Sequence, residues 1–240
     1  MINLAESAVL ANEIANTPEI LPSVSWTGEA IDLQPSFDEG SCFIIENGTD
    51  GCYVLVENSV STYVIHTLFK RGTPSSVVID TAREGMWISF VELDAVELTS
   101  SACETNPAAY RLMRKNGMRP LFDSPSKFAK GKKQRYCGIT IDDYIINNPF
   151  FQEVGAEFHN LVEETTDHED DAVHDRYVGA AISMIRCGNA DKAETVYNKW
   201  ALMAGYAPIT FNEEENTVEA GYMTIHLSDD LQTIGGISCQ

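Results

Sequence analysis

Tyr63-Val64-Ile65-His66-Thr67-Leu68-Phe69-Lys70-Arg71-Gly72-Thr73-Pro74-Ser75-Ser76, followed by Glu97-Leu98-Thr99-Ser100 and by Asn106-Pro107-Ala108-Ala109-Tyr110 up to Gly117-Met118, decides the fold. Tyr63 to Phe69 is rich in β-branched and aromatic residues and reads as a strand. After Gly72 the period changes. Val77, Val78, Thr81, Ala82, Gly85, Met86, Ile88 and Ser89 fall on one side of a helix that Ser75 or Ser76 caps. Val96 to Ala102 returns to strand character. Strand, helix and strand of this length predict a right-handed crossover between neighbouring parallel strands. Asn106 suits the N-cap of the next helix, Pro107 its first turn and Gly117 the residue just past its end.

Working outward, Cys42 to Glu46, Cys52 to Glu57 and Thr62 to Lys70 are β-rich and separated by Asn-Gly-Thr-Asp-Gly and Asn-Ser-Val-Ser, which predicts an antiparallel meander. Leu4, Ala8, Ala11 and Ala15 predict a helix over 4–15. Pro18 and Pro22 end it and force an irregular crossing. Arg119 to Phe122 and Gln134 to Ile141 supply two more strands. Beyond about Asn148 the pattern turns helical, with apolar repeats over 173–185 and 190–204, a break at Cys187-Gly188-Asn189 and a stop at Gly205. Strands over 208–211 and 217–227 close the chain. The reading is an α/β protein with a mixed, mostly antiparallel sheet flanked by helices over 1–150. A helical and β-hairpin extension follows over 151–240.

The chain of 240 residues is 44% hydrophobic, enough for a sizeable core plus an appendage. Its 36 acidic and 16 basic residues give a net charge of −20. That field repels nucleic acid and anionic lipid, so neither is an expected partner. Lys127, Lys130, Lys132, Lys133 and Arg135 form a local basic patch, and Glu163 to Asp175 is densely acidic; a solvated face accounts for either. Cysteines 42, 52, 103, 137, 187 and 239 show no Cys-x-x-Cys pair and read as reduced thiols of a reducing compartment. No basic segment followed by an apolar run opens the chain, and no stretch approaches about 18 apolar residues, so neither export by that route nor a membrane span is expected.

The strand carrying His66, the helix after it, Leu98-Thr99 and the Asn106-Pro107-Ala108-Ala109 helix ending at Gly117-Met118 resemble the GNAT acetyltransferase superfamily. More narrowly, they resemble GNAT-like proteins of tailed bacteriophages. The resemblance spans roughly 1–150. It implies a GNAT-like sheet and an acetyl-CoA site built from the loop after the splayed strand, here Phe69, Lys70, Arg71, Gly72, Ser75 and Ser76, with Asn106 on the later helix. Backbone N–H groups at a helix N-terminus hold the pyrophosphate in such proteins. The family's glycine loop, (Q/R)-x-x-G-x-(G/A), is not matched. Counted from Arg71, its glycine is Pro74 and its small residue Ser76; counted from Lys70, they are Thr73 and Ser75. Family members also carry a tyrosine that protonates the departing thiolate. Asn106, Ala109, Leu112 and Gly117 match that helix, but the tyrosine position is Met113 and the closing aromatic is Met118. Tyr110, one turn earlier, is the nearest phenol and a candidate general acid.

His66 is the candidate base for deprotonating an amine, against the plainer role of a hydrogen-bonded structural histidine; Glu84, Glu92 and Glu97 are its candidate partners. The His168-Glu169-Asp170-Asp171-Ala172-Val173-His174 run crowds imidazoles and carboxylates. Its six-residue histidine spacing fits neither a zinc helix nor a calcium loop, so no metal is assigned and an acidic helix N-terminus explains it. Tyr197 and Trp200 form a stripe that reads as core packing against the first domain, or as a partner surface where exposed. With both diagnostic motifs altered, the resemblance implies a phage GNAT-like structural protein. It would be virion-associated or active in assembly, contacting other phage structural proteins in the virion or in the cytoplasm of the infected bacterial host. The alternative is an active acetyl-CoA-dependent N-acetyltransferase of an amine.

Overall fold

The computed structural model describes residues 2–163, 172–220, 223–228 and 234–239. The chain divides into two compact units, Met1–Phe90 with Ala95–Ile141, and Val91–Asp94 with Asp142–Gln240.

In the first unit the elements run β1 (Ile2–Leu4), α1 (Val9–Ala15), α2 (Leu21–Val24), α3 (Gln34–Asp38), β2 (Cys42–Asn47), β3 (Gly51–Ser59), β4 (Thr62–Phe69), α4 (Ser75–Trp87), β5 (Glu97–Cys103), α5 (Pro107–Lys115), β6 (Arg119–Pro125) and β7 (Lys133–Thr140). The seven strands form one sheet in the order β1-β2-β3-β4-β5-β7-β6. Every pairing is antiparallel except β4 with β5, which the α4 crossover makes parallel. Two turns carry the expected conformations, with Gly48 at φ 54 and Ser61 at φ 56 in the left-handed region. The predicted 4–15 helix is shorter than its spacing suggested. Ile2–Leu4 instead pairs with Asn47–Ile45 as an edge strand, and the helix begins at Val9. Pairing along the open edge of β2 satisfies backbone groups that a first helical turn leaves without partners.

One face of the sheet is covered by α1, whose Ala8, Ala11, Ile14 and Ala15 pack on Cys42, Ile44, Cys52, Val54 and Leu68. The alanines are small enough for the helix to lie close to the strands. The other face receives α4, which buries Thr81, Ala82, Gly85 and Met86. Gly85 lies against Ile45 and Tyr53 there, where an added methyl would find ordinary contact distances of 3.7 to 3.9 Å. The helix then continues into a π turn over Ile88–Glu92.

The second unit holds α6 (Ile141–Asn147), α7 (Pro149–Glu163), α8 (Ala172–Arg186) and α9 (Ala190–Ala204). An antiparallel sheet follows, of β8 (Ile209–Asn212), β9 (Thr217–Ala220), β10 (Met223–Leu227) and β11 (Ile234–Cys239) in the order β11-β10-β9-β8. Helices α7 and α8 cross at glycines: Gly155 lies on the Asp175 backbone and Gly179 on the Phe151 carbonyl, with no room for a Cβ at either. Tyr197 and Trp200 belong to the core of this same unit. His174 stacks on Tyr206 at 4.3 Å and Tyr177 on Trp200 at 4.5 Å, while the Tyr197 hydroxyl and His174 Nε2 share a hydrogen bond of 3.1 Å. His174 is thus a core histidine, and its metal-reading partner His168 lies outside the described residues. Asn189 sits at the predicted N-cap of α9 without capping it. Its amide instead donates to the Val91 and Leu93 carbonyls, each at 3.2 Å. Among the described residues no helix is long and apolar enough to cross a membrane.

Candidate functional site

Strands β4 and β5 are paired only over Thr62–Val64 and Glu97–Thr99. Past that point they part, with the Ser100 hydroxyl donating to the Ile65 carbonyl at 2.8 Å across the start of the gap. The gap opens into a cleft of about 260 Å³. Ile65, His66 and Thr67 of β4, Ser100 to Cys103 of β5 and Asn106, Ala109 and Met113 of α5 form its walls. Glu19 and Pro22 to Val24 border it from one loop, and Phe128 and Ala129 from another. Parallel strands offer their carboxyl ends to ligands in this way because both following loops lead away from the same point.

His66 stands opposite Val54 in the β3–β4 register, so its ring shares the sheet face that α1 covers. The residue is exposed where it meets the open cleft and a smaller neighbouring cavity, and the protein packed around it displaces much of its water. That desolvation lowers its pKa from the ordinary imidazole value, which makes it a neutral base near pH 7. Among the described residues Glu19 is the one carboxylate in the cleft lining, and no described lysine or arginine joins it. Glu84, Glu92 and Glu97 do not line the cleft. Asn106 accepts the Ala109 N–H at 3.2 Å and so fixes the start of α5 at the cleft wall. Burial pushes the Cys103 thiol up, and Glu104 adds to that. Hydrogen bonds from the Thr105 hydroxyl and amide and from the Ser126 hydroxyl outweigh both, leaving it below the usual thiol range.

The loop between β4 and α4 is a separate feature that does not line the cleft. Phe69 packs edge-on against Tyr53 at 5.7 Å, anchoring the loop to the sheet. Lys70 and Arg71 are exposed, Gly72 turns the chain at φ 92, and the Thr73 hydroxyl donates to the Lys70 carbonyl at 2.9 Å. Pro74 is the N-cap of α4 and no side chain caps the helix. The amides of Ser75, Ser76 and Val77 therefore point out of its first turn without intrahelical acceptors, at the positive end of the dipole. Free amides beside two exposed cations fit a pyrophosphate, with one donor fewer than a glycine at position 74 would supply. Tyr110 lies outside the cleft lining, under the Arg135 guanidinium at 5.0 Å from its ring.

The structure thus brings His66 and Asn106 into one cleft, groups Phe69 to Ser76 as an exposed loop at the end of β4, and leaves Tyr110 apart. Sequence reasoning missed Glu19, Ser100, Ser101, Cys103 and Gln134. The carboxyl half of β5 was findable from the crossover itself, whereas Glu19 and the 128–134 segment carry no local signal.

No family model and no curated protein matches the sequence. Among solved structures, spermidine N-acetyltransferase from Vibrio cholerae in complex with CoA and spermine superposes with a TM-score of 0.50 at 14% identity, covering 60% of this chain and 97% of that one. A chimera of the Vibrio cholerae enzyme with hSSAT gives a TM-score of 0.50 at 14% identity, covering 60% and 99%. At such identity the likeness speaks for architecture alone, a GNAT-like fold: a mostly antiparallel sheet flanked by helices, splayed where its two parallel strands part.

Proposed function

We propose that the first unit binds an acyl-CoA, acetyl-CoA in the simplest case, and transfers its acyl group to an amine. The observation that carries this reading is the open cleft at the β4–β5 splay, with a desolvated, neutral imidazole in its wall. Lys70, Arg71 and the amides of Ser75 to Val77 would hold the pyrophosphate. The thioester supplies an acyl carbon bonded to a good leaving group. His66 takes one proton from the ammonium form of the amine, which frees the lone pair for attack, and the second proton leaves nitrogen as the amide forms. The parting strands leave backbone groups and the Ser100–Ser101 pair beside the reacting carbonyl, and holding two substrates together in a cleft supplies much of the rate. Met113 lines the cleft where the resembling enzymes have their tyrosine, and a thioether donates no proton. The departing thiolate, with a thiol pKa of about 8.5, is then protonated from nitrogen or water.

A second reading is a structural component of a phage particle that keeps the GNAT shape without the chemistry. The observations that favour it are Pro74 at the N-cap of α4 and Met113 in the cleft, each removing a group that acyl transfer uses.

Thermal unfolding with and without acetyl-CoA separates the two. A ligand at a hundredfold its dissociation constant stabilises by about 2.7 kcal/mol, worth about 5 to 10 °C for a chain of this size. The enzyme reading expects that shift, its reduction in Arg71→Ala, and acetyl transfer to a primary amine that His66→Gln slows by about 100-fold or more. No shift at millimolar acetyl-CoA would leave the structural reading standing.

A further inference from the structure

A second cavity of about 110 Å³ meets the cleft at His66 and Val24, which line both. Its other walls are Ala15, Ile31, Leu33, Val54, Val56 and Leu68, so among the described residues His66 brings the one polar side chain to it. Its side chains offer a water molecule one partner where it needs two to four, so an apolar group displaces water from it readily. A cavity of about 150 Å³ lined by such residues accepts benzene, so this one suits a branched group of four or five carbons or a small ring. On the cleft side of His66 the lining offers one ionised group, the Glu19 carboxylate.

Resting on the acyltransferase reading, we propose that the acceptor is a primary amine carried on a compact apolar group, with its ammonium drawn to Glu19 and its carbon side seated in the pocket beside His66. Charge complementarity orients it: the ammonium finds its counter-ion on the cleft side and, on the other, a mainly apolar wall with no carboxylate among the described residues. A polyamine chain in the same pocket would surrender the hydration of a second ammonium with no acceptor to replace it. His66, neutral, takes the first proton from the held ammonium. The freed lone pair forms the C–N bond as the C–S bond breaks, and the second proton leaving nitrogen ends on the departing thiolate.

The test uses the full chain with ethylamine, isobutylamine, isopentylamine, benzylamine, spermidine and leucylglycylglycine. Direct calorimetric binding is measured without an acyl donor, then transfer from acetyl-CoA. The expected result is detectable binding of isopentylamine and benzylamine but not ethylamine, with kcat/KM rising at least about tenfold from ethylamine to isopentylamine and spermidine at the bottom, since one methylene in an apolar pocket is worth about 10-fold or more. Ile31→Trp, which fills the pocket, flattens that series, and Leu33→Ala, which enlarges it, moves the optimum to a larger amine. Glu19→Gln, at an exposed position, raises KM about tenfold with a smaller change in kcat. Leucylglycylglycine matching isopentylamine supports the same chemistry with a peptide N-terminus as its source. Isopentylamine binding without transfer to any amine keeps the pocket and sinks only the enzyme reading. Absence of isopentylamine binding, a flat chain-length series or preference for spermidine overturns the inference.

Discussion

His66 combines two properties that rarely meet in one imidazole, access to an open cleft and a protein environment that disfavours its charge. Because its pKa is lowered, the neutral form needed of a base persists to pH values below the ordinary 6.5. At saturating amine, kcat is therefore expected to be flat above about pH 6.5 and to fall only in more acidic solution. In His66→Gln that acidic limb disappears and kcat drops by about 100-fold or more. A pH–rate profile checks both, and an inflection above pH 7 would remove His66 from the role of base.

Lys192 in the second unit shows the same physics without a cleft. Burial pulls its pKa from 10.5 down to about 8, with the charge of Asp94 opposing, while its Nζ donates to the Leu93 carbonyl at 2.6 Å. Below pH 8 both folded and unfolded chains carry the charge, and the folded state bears a cost of about 3 kcal/mol for a shift of that size. Between pH 8 and 10.5 the unfolded chain binds more protons, so the cost is relieved as pH rises. Lys192→Met loses about 1 kcal/mol with the carbonyl's donor and is expected to be the more stable form at pH 7 by about 2 kcal/mol. The advantage should shrink toward pH 10 in urea unfolding run at a series of pH values; an advantage that does not depend on pH would show the ammonium to be well solvated.

At the scale of elements, the splay of β4 and β5 makes the site and a pair of glycines makes the second unit. Pairing stops after Val64 and Thr99, and the cleft opens past that point. The α7–α8 crossing depends on backbone touching backbone at Gly155 and Gly179. A methyl at either position must push the helices apart, since its neighbours are main-chain atoms rather than movable side-chain tips. Gly155→Ala and Gly179→Ala are each expected to cost about 3 kcal/mol or more, whereas Gly85→Ala on α4, with a free berth, should be near neutral or slightly stabilising. Equal destabilisation of all three in denaturant titrations would contradict this packing.

For the molecule as a whole, a net charge of −20 on 240 residues makes self-repulsion a standing cost of folding. Salt shortens the reach of that repulsion from about 30 Å at 0.01 M to about 10 Å at 0.1 M. The unfolding midpoint is expected to climb by several degrees between these concentrations of sodium chloride, as differential scanning calorimetry would register. A midpoint that falls would mean that specific ion pairs outweigh the net field. The exposed pairs do not suggest so: Lys132 with Glu104 at 3.5 Å and Lys133 with Asp123 at 3.7 Å are solvent-screened contacts of the kind worth less than about 1 kcal/mol.

Much of this architecture was legible in the chain alone. The change of period after Gly72, the Asn106 and Pro107 helix start and the Gly117 and Gly205 stops are local signals, because a cap, a positive φ or a run of alternating side chains is decided within a few residues. Asn106 was readable as a helix start for the same reason, and His66 as a polar residue alternating with apolar ones along its strand. Tertiary structure decided the rest. It drew Glu19 and Val24 in beside His66 from a segment with no periodicity, set Tyr110 beneath Arg135 rather than in the cleft, and made His174, read from the sequence as part of an acidic helix N-terminus, a stacked core ring. It also made Ile2–Leu4 a strand, because an open sheet edge waited there. A sequence specifies the hydrogen bonds and faces of its own segments, but which distant side chains share a cavity depends on where the strands part, and that is settled only when the whole sheet is assembled.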